Sequence, residues 1–176
     1  GILAQYSNAA ALDGWALCHY RHLTKPETKS CIMPDDIVIF IPARYESTRF
    51  PGKPLAQLRG SGGTSKSLIR RSWEAAMAVE SADAVFVLTD DARMGAAGGD
   101  FGAGVLMASS DGRNGTERCA EAVAMLPREP RVVINLQGDA PLTPAWYVEG
   151  LIAAMLADPE VSVATPVLHA SADHLH

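Results

Sequence analysis

The sequence predicts an α/β domain of three layers, in which a mainly parallel sheet is covered by helices on both faces. Short apolar runs rich in β-branched residues alternate with helical patterns from residue 37 to the end. Polar segments containing glycine or proline follow these runs, and ligands bind at the carboxyl ends of strands in open α/β sheets. No internal repeat or linker divides the pattern. We therefore expect one domain over residues 37–176, preceded by an extension over residues 1–36.

Composition narrows the class of protein. The 176 residues are 48% hydrophobic and 20% charged, which is typical of one globular domain. The formal net charge of −5 disfavours nonspecific nucleic-acid binding. No run approaches the roughly 18 apolar residues of a membrane span. The first residues lack a signal-peptide pattern and the three cysteines are widely spaced, which predicts a cytoplasmic protein with reduced thiols.

The extension over residues 1–36 is predicted to hold one amphipathic helix, because Leu12, Trp15, Ala16 and His19 fall at helical spacing. The nearby Cys18, His19 and His22 have no fourth partner at a recognised metal-binding spacing. We interpret them as surface or packing residues.

The apolar run from Ile37 to Ile41 predicts a buried strand that ends at Pro42. The loop that follows contains Arg44, Arg49 and Lys53. Seven Lys or Arg residues and one acid lie between positions 44 and 71, a balance of +6 that leaves −11 for the rest of the chain. Focused positive charge suits an oligophosphate, although a solvated basic loop is the alternative.

The next segment, residues 60–67, is rich in Gly and Ser and predicts a flexible loop. It is not a P-loop, because Ser65 stands where that motif needs Gly. Ser67 then caps a helix that runs to about Val79. The inner face of this helix is predicted to carry Ile69, Trp73, Ala76 and Met77.

A second strand is expected from Ala84 to Leu88, and Asp91 is expected to cap the helix from Ala92 to about Gly99. The alternative is that Asp90 and Asp91 face a ligand.

A third strand, Val105 to Met107, leads to a tight turn at Gly112, Asn114 and Gly115. Thr116 is predicted to start a helix that turns Ala120, Val123 and Ala124 inward. Backbone N–H groups at such a junction can bind base or phosphate oxygens, or the residues can simply start a helix.

The fourth strand, Val132 to Leu136, leads to Gln137 and Asp139. A carboxylate at a strand end can hold Mg²⁺ against phosphate, although a turn-forming aspartate is equally compatible with the spacing. Thr143 is predicted to cap the next helix, with Pro144 in its first turn. The face of this helix that is expected to cover the sheet carries Trp146, Leu151, Ile152 and Met155. Residues 161–166 are predicted to form a fifth strand. The segment with His169, His174 and His176 is predicted to be a solvated terminus.

Four segments in the same order resemble blocks of the sugar-acid cytidylyltransferases: IPARYESTRFPGKPL, VFVLTDDARM, NGTER and QGDAP. The first is most similar to the version in the 3-deoxy-manno-octulosonate (Kdo) branch. The resemblance covers roughly residues 36–168. It implies the Rossmann-like, GT-A-like fold of the nucleotide-diphospho-sugar transferases. It also implies CMP transfer from CTP to a 2-keto sugar acid with release of pyrophosphate, a step of lipopolysaccharide biosynthesis.

The resemblance also implies roles for individual residues. Asp139, Arg49 and Lys53 would be catalytic, and Asp139 would hold Mg²⁺. The nucleotide would be bound by Pro42, Ala43, Arg44, Thr48, Arg49, Lys53, Gly115, Thr116, Arg118 and Gln137. The chain departs from the family's S-G-T-D-R at Asn114 and Glu117, and from its Q-G-D-E-P at Ala140.

In the family, the part beyond the match is about as long again and supplies a second metal carboxylate, most sugar-acid contacts and a homodimer interface. Three hypotheses follow. The chain is a Kdo-type cytidylyltransferase, or it uses a neuraminic acid or another nucleotide, or it is a non-catalytic nucleotide-binding or interaction protein. The neuraminate branch has G-G-S-K-R in the first loop, which is less similar to Tyr45–Arg49 than the Kdo version.

Overall fold

The strand predicted from residue 37 lies in the middle of the sheet. The computed structural model describes residues 37–46, 50–109 and 114–167. The predicted N-terminal helix, the Cys18 cluster, Gly112 and the terminal histidines lie outside these residues. The described elements are strands β1 (Ile37–Pro42), β2 (Gln57–Arg59), β3 (Ser65–Ser67), β4 (Ala84–Thr89), β5 (Gly104–Met107) and β6 (Val132–Asn135), helices α1 (Leu68–Met77), α2 (Ala92–Asp100), α3 (Gly115–Val123) and α4 (Ala145–Ala157), and a 3-10 turn at Lys53–Leu55.

Four parallel strands form the main sheet in the order β5-β4-β1-β6. Every residue of β1 and β4 is buried, as expected of central strands that are apolar throughout. Alternate side chains of β1 point to opposite faces: Ile39 packs in a cluster with α1, α2 and α4, and Phe40 packs with α3. Helices therefore cover both faces of the sheet, which confirms the predicted fold class.

The predicted helix caps at the first two helices are confirmed. Ser67 Oγ accepts a hydrogen bond from the Arg70 N–H at 3.4 Å, and Asp91 Oδ1 accepts one from the Arg93 N–H at 2.8 Å. In α3 the cap is Asn114, whose Oδ1 accepts from the Glu117 N–H at 2.9 Å. The helix therefore begins at Gly115 rather than at Thr116.

The predicted inner face of α3 is confirmed at Val123, which packs against the buried cluster on this side of the sheet, and is wrong at Ala120 and Ala124. Ala120 and Ala124 are exposed, whereas Cys119 and Ala122 are buried against the sheet. Small residues lie on several sides of this helix, so the apolar pattern alone does not determine its rotation. Cys119 is a packing residue, and its burial raises the pKa of the thiol to about 11.

Residues 60–67 are not a simple loop. Strands β2 and β3 form an antiparallel hairpin in which Leu58 pairs with Lys66. Gly63, with a φ of +79°, lies in the turn. Arg71 stabilises the hairpin from α1, because its Nη2 donates to the carbonyl oxygens of Leu58 at 2.8 Å and Thr64 at 3.3 Å. Sequence reasoning missed this long-range contact.

The start of the last helix also differs from the prediction. Pro144 occupies the N-cap position of α4, and Thr143 Oγ1 donates to the Ala140 carbonyl at 3.0 Å instead of capping the helix. Trp146 is 72% exposed, and the residues of α4 that are fully buried against the sheet are Val148 and Ile152. The proline shifts the helix start past Thr143, which turns Trp146 outward.

The predicted fifth strand was wrong. Residues 161–167 form no strand, and Val163 and Val167 are 84% and 83% exposed. Within the part of the chain that the structure describes, β6 pairs with β1 alone. A strand needs a neighbour to take its backbone hydrogen bonds, and residues 161–167 have none there. Among the described residues, no helix is both long and apolar enough to cross a membrane.

Candidate active site

The candidate site lies at the carboxyl ends of β1 and β6. From β1 the chain passes to β4 and β5 on one side, and then returns to place β6 on the other side of β1. The crevice at such a reversal of strand order is the usual ligand site of open α/β sheets. Three predicted segments meet here: the loop after β1, the loop after β6 and the start of α3. A Cβ atom on Gly115 would lie 3.0 Å from Pro42 Cγ and 3.3 Å from Gln137 Nε2.

Lys53 and Asp139 are brought together from positions 86 residues apart in the chain. Lys53 Nζ lies 2.6 Å from Asp139 Oδ2, and the two side chains are 46% and 54% exposed. An ion pair this exposed contributes only about 0–1 kcal/mol to folding. Both charges are therefore accessible to a ligand.

The backbone around Asp139 is held by packing that sequence reasoning did not find. Ser72, fully buried in α1, donates through Oγ to the Gly138 carbonyl at 2.9 Å. A Cβ on Gly138 would lie 2.9 Å from the Pro42 carbonyl oxygen and 3.2 Å from Ala43 Cβ. Gly138 therefore lets the two loops approach closely. A serine within a helical pattern gives no sequence signal of such a contact.

A row of polar side chains connects β6 to the first turn of α3. Gln137 Nε2 donates to Asn135 Oδ1 at 2.9 Å, and Asn135 Nδ2 donates to Thr116 Oγ1 at 3.4 Å. The predicted Gln137 and Thr116 are thus linked through Asn135, which the sequence analysis did not select. The strand alternation could have found Asn135, because it lies on the same face as Gln137.

Arg118, predicted to bind the nucleotide, is buried and paired with an acid. Its side chain is 1% exposed, and its Nη2 donates to Asp90 Oδ2 at 2.6 Å. This bond, with a smaller contribution from Arg44, holds the pKa of Asp90 below its ordinary value. Nε and Nη1 of Arg118 are buried and have no hydrogen-bond partner among the described residues. Buried donors without partners are costly, so a ligand oxygen that reached them would be bound favourably.

The remaining predicted residues divide into two groups. Pro42 and Ala43 are buried at the end of β1, and Arg44 is exposed beside them. Thr48 and Arg49 lie outside the described residues. Within residues 37–46, 50–109 and 114–167, no group of three or more His, Cys, Asp or Glu side chains could hold a metal ion. Asp139, paired with Lys53, is the predicted metal ligand that the structure describes at the junction of the β1 and β6 loops.

Known proteins resemble this chain in sequence and in fold. The model of the family described as cytidylyltransferase matches residues 38–174. A 3-deoxy-manno-octulosonate cytidylyltransferase of Maricaulis maris (strain MCS10) is 46% identical over 132 residues, which are 75% of this chain and 49% of the relative. The mitochondrial enzyme of that name from Arabidopsis thaliana is 42% identical over 74% of this chain and 43% of the relative.

Solved structures are similar over the same region. A CMP:2-keto-3-deoxy-manno-octonic acid synthetase complexed with CTP is 38% identical, with a TM-score of 0.66 over 72% of this chain and 49% of that one. A cytidylyltransferase from Leptospira borgpetersenii is 21% identical, with a TM-score of 0.59 over 71% of this chain and 50% of that one, a likeness in fold alone. The chain spans about half the length of the curated relatives it matches.

Proposed function

We propose, from the premise that this chain belongs to the cytidylyltransferase family, that it binds CTP and transfers CMP to a 2-keto sugar acid of the Kdo type. Pyrophosphate is the other product. The observation that carries the proposal is the meeting of Lys53 and Asp139 at the strand-order reversal, 2.6 Å apart and exposed. The relatives are 3-deoxy-manno-octulosonate cytidylyltransferases and the similar synthetase is complexed with CTP, which supports the choice of substrates.

In this reaction the anomeric hydroxyl of the sugar acid attacks the α-phosphorus of CTP. The bond to the β,γ-pyrophosphate breaks, and the hydroxyl proton is lost. No covalent enzyme intermediate is needed, so the protein acts by positioning and by neutralising charge. Lys53, Arg44 and Arg49 supply cations for the triphosphate, and the arginines can each make two parallel contacts.

The ribose and base are assigned to the residues around α3. The first turn of this helix presents N–H groups at Gly115 and Thr116, which favour an anionic or carbonyl oxygen. Gln137 supplies an amide beside them, and Pro42 limits the width of the crevice. The buried Nε and Nη1 of Arg118, which have no hydrogen-bond partner among the described residues, would donate to oxygens of the nucleotide.

Mg²⁺ is the proposed cofactor, and Asp139 is the residue that would hold it. Mg²⁺ prefers one or two carboxylates together with phosphate oxygens and waters, and an exposed aspartate beside a triphosphate site fits that donor set. When bound, Mg²⁺ would neutralise phosphate charge and polarise the P–O bonds. Lys53 already pairs with the same carboxylate, so it is positioned to turn to phosphate.

A homodimer, a cytoplasmic location and a place in lipopolysaccharide biosynthesis belong to the same proposal. They rest on the resemblance of the four sequence blocks, and the location also rests on the absence of a disulfide-type cysteine pattern.

Calorimetric titration tests the nucleotide half of the proposal. We expect Mg²⁺-CTP to bind, and ATP, GTP and UTP to bind at least about tenfold more weakly, which corresponds to roughly 1.4 kcal/mol. Equal binding of all four nucleotides would point to a nonspecific phosphate site. Absence of binding would overturn the proposal.

A non-catalytic nucleotide-binding protein is the second candidate. One observation favours it: Ala140 stands where the family has glutamate. Pyrophosphate release that depends on added sugar acid separates the two candidates. CTP binding without such release would support the second.

A further inference from the structure

The loop after β1 is closed at its base by its own backbone. The Gly52 N–H donates to the Tyr45 carbonyl at 2.8 Å, so the two ends of the segment between them lie side by side. Gly52 has a φ of +71°, a conformation that favours glycine. Arg44 directly precedes this closed segment, Lys53 directly follows it, and Thr48 and Arg49 lie within it.

The side chain of Tyr45 contacts both this closure and a neighbouring helix. A Cβ on Gly52 would come within 3.2 Å of the Tyr45 ring, so ring and backbone are packed closely. The guanidinium carbon of Arg93, in the first turn of α2, lies 3.4 Å from the centroid of the same ring. A cation over an aromatic face at this distance is attracted by the ring quadrupole.

Arg93 is in turn oriented by Asp91. Its Nε and Nη2 donate to the two carboxylate oxygens at 3.0 and 2.6 Å, a paired contact that determines the plane of the guanidinium. Asp91 is itself held as the cap of α2, and its N–H donates to Thr89 Oγ1 at 3.2 Å. The row Asp91–Arg93–Tyr45 therefore connects the end of β4 to the base of the loop.

We propose that Tyr45 and Arg93 are positioning residues that hold Arg44 and Lys53, on either side of the Tyr45–Gly52 closure, in the arrangement that receives a nucleotide triphosphate. This role rests on the proposed function of the same site. The Arg93 side chain is 59% exposed, so its removal has little effect on global stability. Its effect is local, on the closure of the loop and on the placement of its cations.

The test uses two readouts on four variants. Hydrogen exchange of the Gly52 amide, followed by NMR without nucleotide, reports the closure directly. Calorimetric titration with Mg²⁺-CTP reports the consequence for binding. The variants are Arg93→Ala, Tyr45→Leu, Tyr45→Phe and the control Arg70→Ala. Arg70 is also a partly exposed helical arginine paired with an acid, and the hydrogen bonds described for it are to Glu74 and Ser67.

We expect Arg93→Ala to speed exchange of the Gly52 amide and to weaken CTP binding by about threefold to fivefold, the range of one exposed cation–π contact. Tyr45→Leu also loses the packing against Gly52 and should have a larger effect, about tenfold. Tyr45→Phe keeps the ring, so its Gly52 exchange rate and its CTP affinity should both match those of the unmodified protein. Arg70→Ala should change neither.

The proposal is overturned if Arg93→Ala behaves like Arg70→Ala in Gly52 exchange and in CTP affinity. If Tyr45→Leu fails to fold, Arg93→Ala decides, because an exposed side chain can be removed without loss of the core. If the unmodified protein does not bind CTP, the proposed function fails, while exchange at Gly52 still tests the closure on its own.

Discussion

Asp139 and Lys53 contribute little to the stability of the fold. Both side chains are about half exposed, and neither contributes to the buried clusters that hold the sheet. A residue of this kind can be changed without loss of the fold, so its role can be measured in isolation.

Replacing Asp139 with Asn removes the carboxylate but keeps the size of the side chain. We expect sugar-dependent pyrophosphate release to fall by at least about 100-fold, as for loss of one key electrostatic contact. The thermal midpoint should stay within about 1–2 °C of the unmodified protein, since the pair is exposed. Glu160→Gln, at an exposed acid after α4, is the control. Full turnover in the Asp139 variant would contradict the metal-binding role.

Gly138 offers a second test at a single residue. Gly138→Ala places a Cβ 2.9 Å from the Pro42 carbonyl, and such overpacking costs about 1–3 kcal/mol. Gly150, in the middle of α4, has no heavy atom within 4 Å of the added Cβ. Gly150→Ala should therefore stabilise the protein by about 0.5–1 kcal/mol through helix propensity. Denaturant unfolding measures both, and equal effects would refute the close approach of the loops.

Residues of the site differed in how far sequence could predict them. Lys53 and Asp139 were selected because they follow predicted strands and match the family's blocks, and the structure brings their side chains within 2.6 Å of each other. Ser72 was missed because its partner, the Gly138 carbonyl, lies 66 residues away in the chain. Asn135 was missed because its role depends on which face of an edge strand it lies on. The burial of Arg118 also could not be predicted, because an arginine near a helix start usually lies at the surface.

Among elements, those specified by local signals were predicted well. The apolar runs of β1 and β4 and the caps Ser67 and Asp91 need no distant partner to be recognised. The hairpin β2–β3 and the absence of a strand at 161–167 depend on tertiary contacts. Arg71 stabilises the hairpin through its hydrogen bonds, and residues 161–167 have no neighbouring strand among the described residues.

Helix α2 carries a testable pH dependence at its cap. The Arg93 side chain, followed by backbone N–H groups, lowers the pKa of Asp91 from 3.8 to about 2. The carboxylate form therefore favours the folded state above about pH 4, and this contribution is lost as the pH falls through about 2.

Asp91→Asn keeps the cap but removes the charge. We expect the variant to be less stable by on the order of 1 kcal/mol at pH 7, and this difference to shrink between pH 4 and 2. Denaturant unfolding across that range measures it. Arg118 also lowers the pKa of Asp90, but Asp90 is present in both proteins, so its contribution to the pH dependence cancels in the comparison. A difference that stays constant with pH would show that the charge of Asp91 has no part in it.

For the whole molecule, the site lies where three separate parts of the fold meet, so ligand binding should stabilise the entire domain. Mg²⁺-CTP at 100 times its dissociation constant should raise the free energy of unfolding by about 2.7 kcal/mol. ATP at the same concentration should raise it much less. Unfolding curves recorded with each nucleotide measure this. Equal shifts with CTP and ATP would contradict base selection by the region around α3.

The central place of β1 in the sheet also has a consequence during synthesis. Its first neighbour, β4, begins about 46 residues later in the chain, and its second, β6, about 95 residues later. A ribosome that adds roughly 5–20 residues per second leaves β1 without its second neighbour for about 5–20 s. During that interval the uncharged run Ile37–Ile41 is available to pair with other chains. We therefore expect the yield of soluble protein in a cell to depend on how quickly β6 is synthesised, as well as on the stability of the completed sheet.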